Sequence, residues 1–344
     1  MGSEMCIRDS NVVSAANAID PVRATMFFSI TLYLAVFSLW LTSYLNSERR
    51  AHLILVAYLF AAISTTLLGL GALLAGFPGS DTFLFHDDRI RGLFKDANVY
   101  GPFLIPVALL VLDEVLRPRL LKIGTVFKLA IILLLTLGVI FSFSRAAWLN
   151  MSLGVVVVLA IVLLRGPAVN ARVIPVMLML AVLGVATAGL VVATGQEKFL
   201  TERASIQGYD TERFGAQEAG AELAAKYPLG VGPGQFEPQI QYSAHSTYIR
   251  SYTEQGPLGL LAVVVLIGST LVMAVRNATI GRSSFGLGSG ALLGAWVGLI
   301  ANSFFVDTLH WRHFWLVAGL IWVASMRRAA EEGFDPEPLP RGAA

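Results

Sequence analysis

The chain has 344 residues, of which 56% are hydrophobic and 14% charged, and its mean hydropathy is +0.68. A soluble globular domain carries about 25% charged residues, so this composition excludes a water-soluble globule, a disordered chain and a nucleic-acid binder. The formal net charge of +2 says nothing about partners, because in a membrane protein the information lies in where charges sit along the chain.

Residues 1–10 (MGSEMCIRDS) have no apolar core and so cannot be a signal peptide. They read as non-native, and 1–23 as a non-native or truncated N-terminal segment. Cys6 is the single cysteine, which leaves no intramolecular disulfide and no thiolate metal site. A spanning helix needs about 20 largely apolar residues. Segments 24–45, 51–76, 99–116, 124–143, 146–164, 173–194, 257–275, 285–305 and 313–326 qualify, predicting an all-α polytopic transmembrane helix bundle of about nine spans. Residues 24–194 then carry six spans and a loop at 77–98, 195–256 form a large loop, 257–326 carry three more spans, and 327–344 form a tail. Basic residues fall in alternate connections: Arg49 and Arg50; Arg117, Arg119 and Lys122; Arg165 and Arg172; Arg276 and Arg282; Arg327 and Arg328. By the positive-inside rule these face the cytoplasm. The loops at 77–98 and 195–256, the tight turn at 144–145 and residues 306–312 are then extracytoplasmic, and nine spans leave the N-terminus outside.

A loop as long as 195–256 is usually functional or disordered. Residues 211–226 within it read as an amphipathic helix, with Phe214 and Leu223 opposed to Glu212, Glu218 and Glu222. Pro228 ends that helix, and glycines at 230, 232 and 234 follow, allowing close backbone approach. The run lacks both the P-loop and the dinucleotide-binding spacing, so a structural turn suits it as well as an anion cradle.

Other polar positions stand out against the apolar background. Arg145 lies in Phe141-Ser142-Phe143-Ser144-Arg145 between two apolar stretches; a charge there pairs, snorkels to lipid phosphates or serves a substrate. His245 sits in a polar loop just ahead of a span, as a proton acceptor or a hydrogen-bonded loop residue. In the loop 86–98, Arg89, Arg91 and Lys95 are balanced by acids, making a mixed polar rim. Its His86, Asp87 and Asp88 could hold a hard cation only through a special turn, so no metal site is assigned. Asp307, His310, Arg312 and His313, flanked by Trp311 and Trp315, read as an interfacial anchor. Several arginines and a histidine therefore share one face of the bilayer. Arginine is always charged and forked, so a lipid-tailed diphosphate suits this face.

On these residues the sequence resembles the O-antigen ligase and polymerase superfamily of polytopic bacterial membrane proteins. The matching pieces are Gly92-Leu93-Phe94-Lys95-Asp96-Ala97-Asn98 opening a span, Ser142-Phe143-Ser144-Arg145-Ala146-Ala147 between spans, and Arg213 in the loop helix. They continue with Pro228-Leu229-Gly230-Val231-Gly232-Pro233-Gly234-Gln235-Phe236, Ala244-His245-Ser246-Thr247-Tyr248-Ile249, and Glu254-Gln255-Gly256-Pro257-Leu258-Gly259. The resemblance implies an inner-membrane enzyme of lipopolysaccharide and polysaccharide biosynthesis, with the large loop periplasmic and the C-terminus cytoplasmic. It implies transfer of a glycan from undecaprenyl diphosphate to an acceptor hydroxyl, on lipid A-core in ligases or a growing polysaccharide in polymerases. No metal or other cofactor is used, and the anomeric carbon inverts. Carried over by position, His245 is the general base, and Arg145 and Arg213 bind the diphosphate. Substrate contacts are expected at Arg89, Arg91, Lys95, Asn98, Gly232, Gly234, Tyr248 and Glu254. Ser246 stands where the family usually has Asn, and members usually have ten to twelve spans; a chain short of its first spans would be an inactive fragment of an active parent. The competing classes are a transporter of lipid-linked glycans, whose matched Gly/Pro-interrupted spans are not found here, and a sensor or scaffold whose loop only binds.

Overall fold

A computed structural model describes residues 14, 15, 17–164 and 208–332, with isolated positions between 165 and 207. The span expected at 173–194, the first part of the large loop, residues 1–13 and the end of the tail lie outside the described residues. Ten α-helices carry the described chain, and we number them in order: α1 Pro21–Tyr44, α2 Glu48–Leu74, α3 Ala97–Leu116, α4 Thr125–Phe141, α5 Arg145–Leu163, α6 Gly208–Lys226, α7 Phe236–Ile240, α8 Thr247–Ile280, α9 Ser289–Ser303 and α10 Arg312–Glu332. By length and apolarity α1, α2, α3, α5 and α8 can cross a membrane, while α4, α9 and the apolar part of α10 are shorter. The protein is thus a mostly helical, multi-pass membrane protein. One departure from all-helical structure is a small hairpin, β1 Leu84–Phe85 and β2 Arg89–Ile90, paired antiparallel in the loop before α3.

Sequence sets several helix ends directly. Asp20, Ser47, Asp96, Ser144 and Ser246 each cap a helix by accepting a backbone N–H from its first turn. Arg145 therefore opens α5; the turn lies at 142–144, one position earlier than expected. The span expected to begin at 257 is preceded by two helical turns, and α8 runs from Thr247 through a break at Gly256, where φ is 71°. Pro257 lacks the N–H that a continuous ladder needs there.

Glycines let α5 and α9 pack closely, as small residues do between membrane helices. Asn150 lies against Gly298, and one turn along α5 Gly154 lies against Gly294. The two helices are thus antiparallel, and the start of α5 lies towards the end of α9. Cross-contacts sort every helix end to one of two sides. His52 at the start of α2 meets the Leu120 carbonyl beyond α3, at 3.1 Å, and Gly286 beyond α8 packs on Leu120 too. Arg49, Arg50, Arg117, Arg119, Lys122 and Arg282 share that end. The starts of α3, α5, α8 and α10 and the ends of α4 and α9 share the other.

Candidate functional site

At that second end, the glycine run closes on the break in α8. Val231 and Gly232 donate N–H bonds of 3.0 Å to the Thr253 and Glu254 carbonyls. Gly230 and Gly256 both have positive φ, 83° and 71°. A Cβ on the first would strike the Glu254 carbonyl, and on the second the Pro228 carbonyl, so only glycine permits the interlock. The buried Glu254 carboxylate accepts the Gly234 N–H at 2.8 Å, the Phe236 N–H at 3.2 Å and Arg250 Nη1 at 3.2 Å. Gly232 and Gly234 face Ala18 and the Phe27 ring, where a Cβ would lie 2.8 and 2.6 Å away. Three expected substrate contacts, Gly232, Gly234 and Glu254, are thus used to hold the loop shut: their polar groups are consumed internally. Residues just before and at the start of α1 take part as well. Asn17 Nδ2 donates to the Gly230 carbonyl at 3.0 Å, Arg23 Nε donates to the Gly234 carbonyl at 2.5 Å, and Asp20 N–H donates to Gln235 Oε1 at 3.0 Å.

Sequence reading missed the residue at the centre of this end, Arg250. It is buried and ion-paired with Glu237 of α7, with Glu254 at 3.2 Å and with Asp307 at 3.1 Å, and its guanidinium lies over the Phe27 ring at 5.8 Å. The spacing of Arg250 and Glu254, four apart on a helix, was visible; Glu237 lies on α7 and Asp307 beyond α9, and neither carried a signal. Asp307 also meets His310 Nδ1 at 2.9 Å, and His310 Nε2 lies 3.3 Å from Thr31 Oγ1 on α1. Burial pushes the Asp307 carboxyl up, but His310 and Arg250 outweigh it and hold its pKa at about 2. These two residues therefore join α1, α8 and α10, a larger part than interfacial anchoring.

His245 sits beside this network. Its φ of 44° is left-handed, a conformation costing a non-glycine residue of order 1–3 kcal/mol. The Gln217 amide from α6 donates to its carbonyl at 3.2 Å, and its ring lies 5.7 Å from that of Tyr242. Burial first, and then the nearby Arg213 cation, push the imidazole pKa down to about 4; Arg250 acts the same way, while Asp96 and Glu237 oppose them. The imidazole is therefore neutral at physiological pH, with a guanidinium and a carboxylate in electrostatic reach. That carboxylate, Asp96, is the cap of α3.

Arg145 approaches from α5. At the end of α9, the Ser303 carbonyl accepts a 3.5 Å bond from Ser246 Oγ, next to His245. Arg89 ties the rim to the turn before Arg145: buried, it donates from Nε to the Ser142 carbonyl and from Nη2 to Asn98 Oδ1, both at 3.0 Å. Arg91 stays on the rim, donating to the Thr82 carbonyl at 3.2 Å and the Lys95 carbonyl at 3.5 Å, and Lys95 is exposed. The Tyr248 ring packs on Phe304 at the end of α9, centroids 4.7 Å apart. Arg145, Arg213, Arg89, Asn98 and His245 therefore gather at one end, whereas Arg91 and Lys95 stand at its edge. Among the described residues no group of three His, Cys, Asp or Glu side chains could hold a metal ion.

Residues 130–264 match the family described as O-antigen ligase, a stretch that runs from α4 to the first membrane turns of α8. It contains Arg145, Arg213, the glycine run and His245, and it leaves the loop at 77–98 outside. Over it the chain resembles the O-antigen ligase superfamily. No curated protein matches the chain.

Proposed function

We propose that the chain transfers a glycan from undecaprenyl diphosphate to an acceptor hydroxyl on lipid A-core, or alternatively on a growing polysaccharide, at the extracytoplasmic face of the bacterial inner membrane. The observation that carries this reading is a neutral, half-buried His245 within electrostatic reach of Arg213, inside the stretch similar to O-antigen ligases and opposite the basic connections. The acceptor oxygen attacks the anomeric carbon while His245 removes its proton. The bond from that carbon to the diphosphate oxygen breaks with inversion, and the leaving charge falls on Arg145 and Arg213. Diphosphate is a good leaving group, so positioning, charge neutralisation and proton removal suffice without a metal. Arg89 and Asn98 hold the turn that presents Arg145.

The low pKa of His245 fits this sequence of events. Part of the depression comes from the Arg213 cation. A diphosphate on Arg213 cancels that charge, so the imidazole becomes more basic when the donor is in place. Two substitutions test the reading, His245→Ala and Arg145→Ala, in membranes supplied with lipid-linked glycan and acceptor. Each is expected to slow transfer about 10²–10³-fold, the loss seen on removing a charge-stabilising donor, with folded protein recovered at wild-type levels. Full activity in both variants would overturn it.

A further inference from the structure

The loop before α3 carries a feature that the reaction above does not use. A cup of about 340 Å3 is lined by Asp81, Leu84, Phe85, His86, Asp88 and Arg91. The β1–β2 hairpin builds it by pairing Leu84 with Ile90 and Phe85 with Arg89, which leaves His86 and Asp88 at the tip. The Phe85 ring meets the His86 ring edge to face, centroids 4.7 Å apart, and the Arg89 guanidinium lies 5.9 Å from it. Backbone carbonyls, not carboxylates, steer Arg91, since its bonds go to Thr82 and Lys95. Among the described residues, nothing ion-pairs with the Asp81 or Asp88 carboxylate, so both keep their acceptor oxygens.

We propose that this cup is a saccharide subsite, holding a sugar unit of the glycan that is moved or of the glycan that receives it; the assignment rests on the transfer reading above. Paired carboxylate oxygens accept, and a guanidinium edge donates, in the planar forked geometry that neighbouring sugar hydroxyls match. Phe85 adds an apolar face for the C–H side of a sugar ring. Two carboxylates against one guanidinium repel a second anion, which separates this cup from the arginines around His245. A divalent cation is disfavoured as well, because the described residues include no three ligands that converge on one point. The volume lies at the lower end of small-molecule pockets, about 300–1,000 Å3, suiting a single sugar ring and part of its neighbour. Placement agrees, since the same loop continues to Asp96, whose charge reaches His245.

The test compares the wild-type chain in lipid nanodiscs with the Asp81→Asn/Asp88→Asn double variant. Asparagine keeps the side-chain size and tolerates the left-handed φ of 56° at position 88. Saturation-transfer NMR uses methyl glycosides of glucose, galactose, rhamnose and N-acetylglucosamine as probes, with farnesyl diphosphate as the anion control. At least one glycoside is expected to bind the wild type and to bind the variant about tenfold more weakly, the loss of one charge-assisted hydrogen bond, with farnesyl diphosphate unaffected. No glycoside bound by the wild type, or equal binding in the variant, overturns the subsite. Transfer kinetics then name the source: a KM raised about tenfold for the donor alone assigns the moved glycan, and for the acceptor alone the receiving one. A rise in neither KM also overturns the subsite. A wild-type chain that transfers nothing defeats the transfer reading instead, while the glycoside arm still decides the cup.

Discussion

The two ends of the bundle use buried charge in opposite ways. At the end bearing the basic connections, Glu114 accepts backbone N–H bonds from Arg119, Leu120 and Leu121 at 3.1, 2.8 and 3.1 Å, and Lys128 Nζ at 3.1 Å. Asp113 pairs with Arg117 one turn away. All these partners fall between residues 113 and 128, and the result is a closed turn between α3 and α4. At the other end Arg250 draws together α1, α7, α8 and the segment before α10, and His245 is held in a strained conformation beside Arg213. Charge that closes one turn stabilises the chain; charge drawn from several helices around a neutral imidazole is the arrangement on which the proposed transfer depends. A buried charged residue is therefore read by where its partners come from.

The comparison breaks first at Glu114. Its removal by Glu114→Ala leaves Lys128 with only the backbone carbonyl of residue 114 and three N–H groups without an acceptor, and loss of one partner from a buried ion pair costs about 3–5 kcal/mol. The expected outcome is a sharply lowered thermal midpoint in detergent, with an unchanged KM for the protein that remains folded. If Glu114→Ala instead keeps its midpoint and loses turnover, the division between the two ends fails.

A smaller effect is expected between the ends, where α5 meets α9. Gly298→Ala pushes a methyl into Asn150, and overpacking of this kind costs about 1–3 kcal/mol. Gly268, in the membrane part of α8, has nothing within 4 Å of a new Cβ; Gly268→Ala is expected to leave stability equal or raise it by about 0.5–1 kcal/mol through better helix propensity. Midpoints from scanning fluorimetry check both, and equal shifts in the two variants would mean that the close α5–α9 approach does not govern packing. Because that packing fixes how α5, with Arg145 at its start, sits against α9, Gly298→Ala is also expected to slow transfer more than it lowers donor binding.

Much of this was legible in the sequence, for identifiable reasons. Apolar runs of membrane length and sparse charge gave the helix positions, since each span must satisfy its own backbone bonds; the caps at Asp96, Ser144 and Ser246 were readable as single residues. Arg145, Arg213 and His245 were readable because few ionisable groups compete with them. The role of the glycine run was not. Pro228-Leu229-Gly230 and Glu254-Gln255-Gly256 are separated by some twenty residues, and only their interlock in space shows that Gly230 and Gly256 make room for each other's neighbouring carbonyls. The hairpin at 84–90 escaped for a simpler reason: two-residue strands leave no period to detect. Arg250 carried little signal, because two of its three carboxylate partners come from outside its own helix, Glu237 from α7 and Asp307 from beyond α9.

The most delicate test concerns pH, and its direction follows from the charges around His245. In the free protein burial and Arg213 depress the imidazole to about 4, below its ordinary 6.5. The neutral base is therefore fully present at neutral pH and is lost only as pH falls through about 4, so the acid limb of kcat/KM, which reports the free protein, is expected there. The acid limb of kcat reports the substrate complex, in which the diphosphate offsets the Arg213 charge, so it is expected at higher pH though still short of 6.5, because burial persists. Arg213→Gln removes the cation permanently. It is expected to weaken donor binding, to move the kcat/KM limb upward and so to narrow the gap between the two limbs. Coincident limbs in the wild type would show that the anion does not settle on Arg213, and a gap left unchanged by Arg213→Gln would place the diphosphate on Arg145 alone.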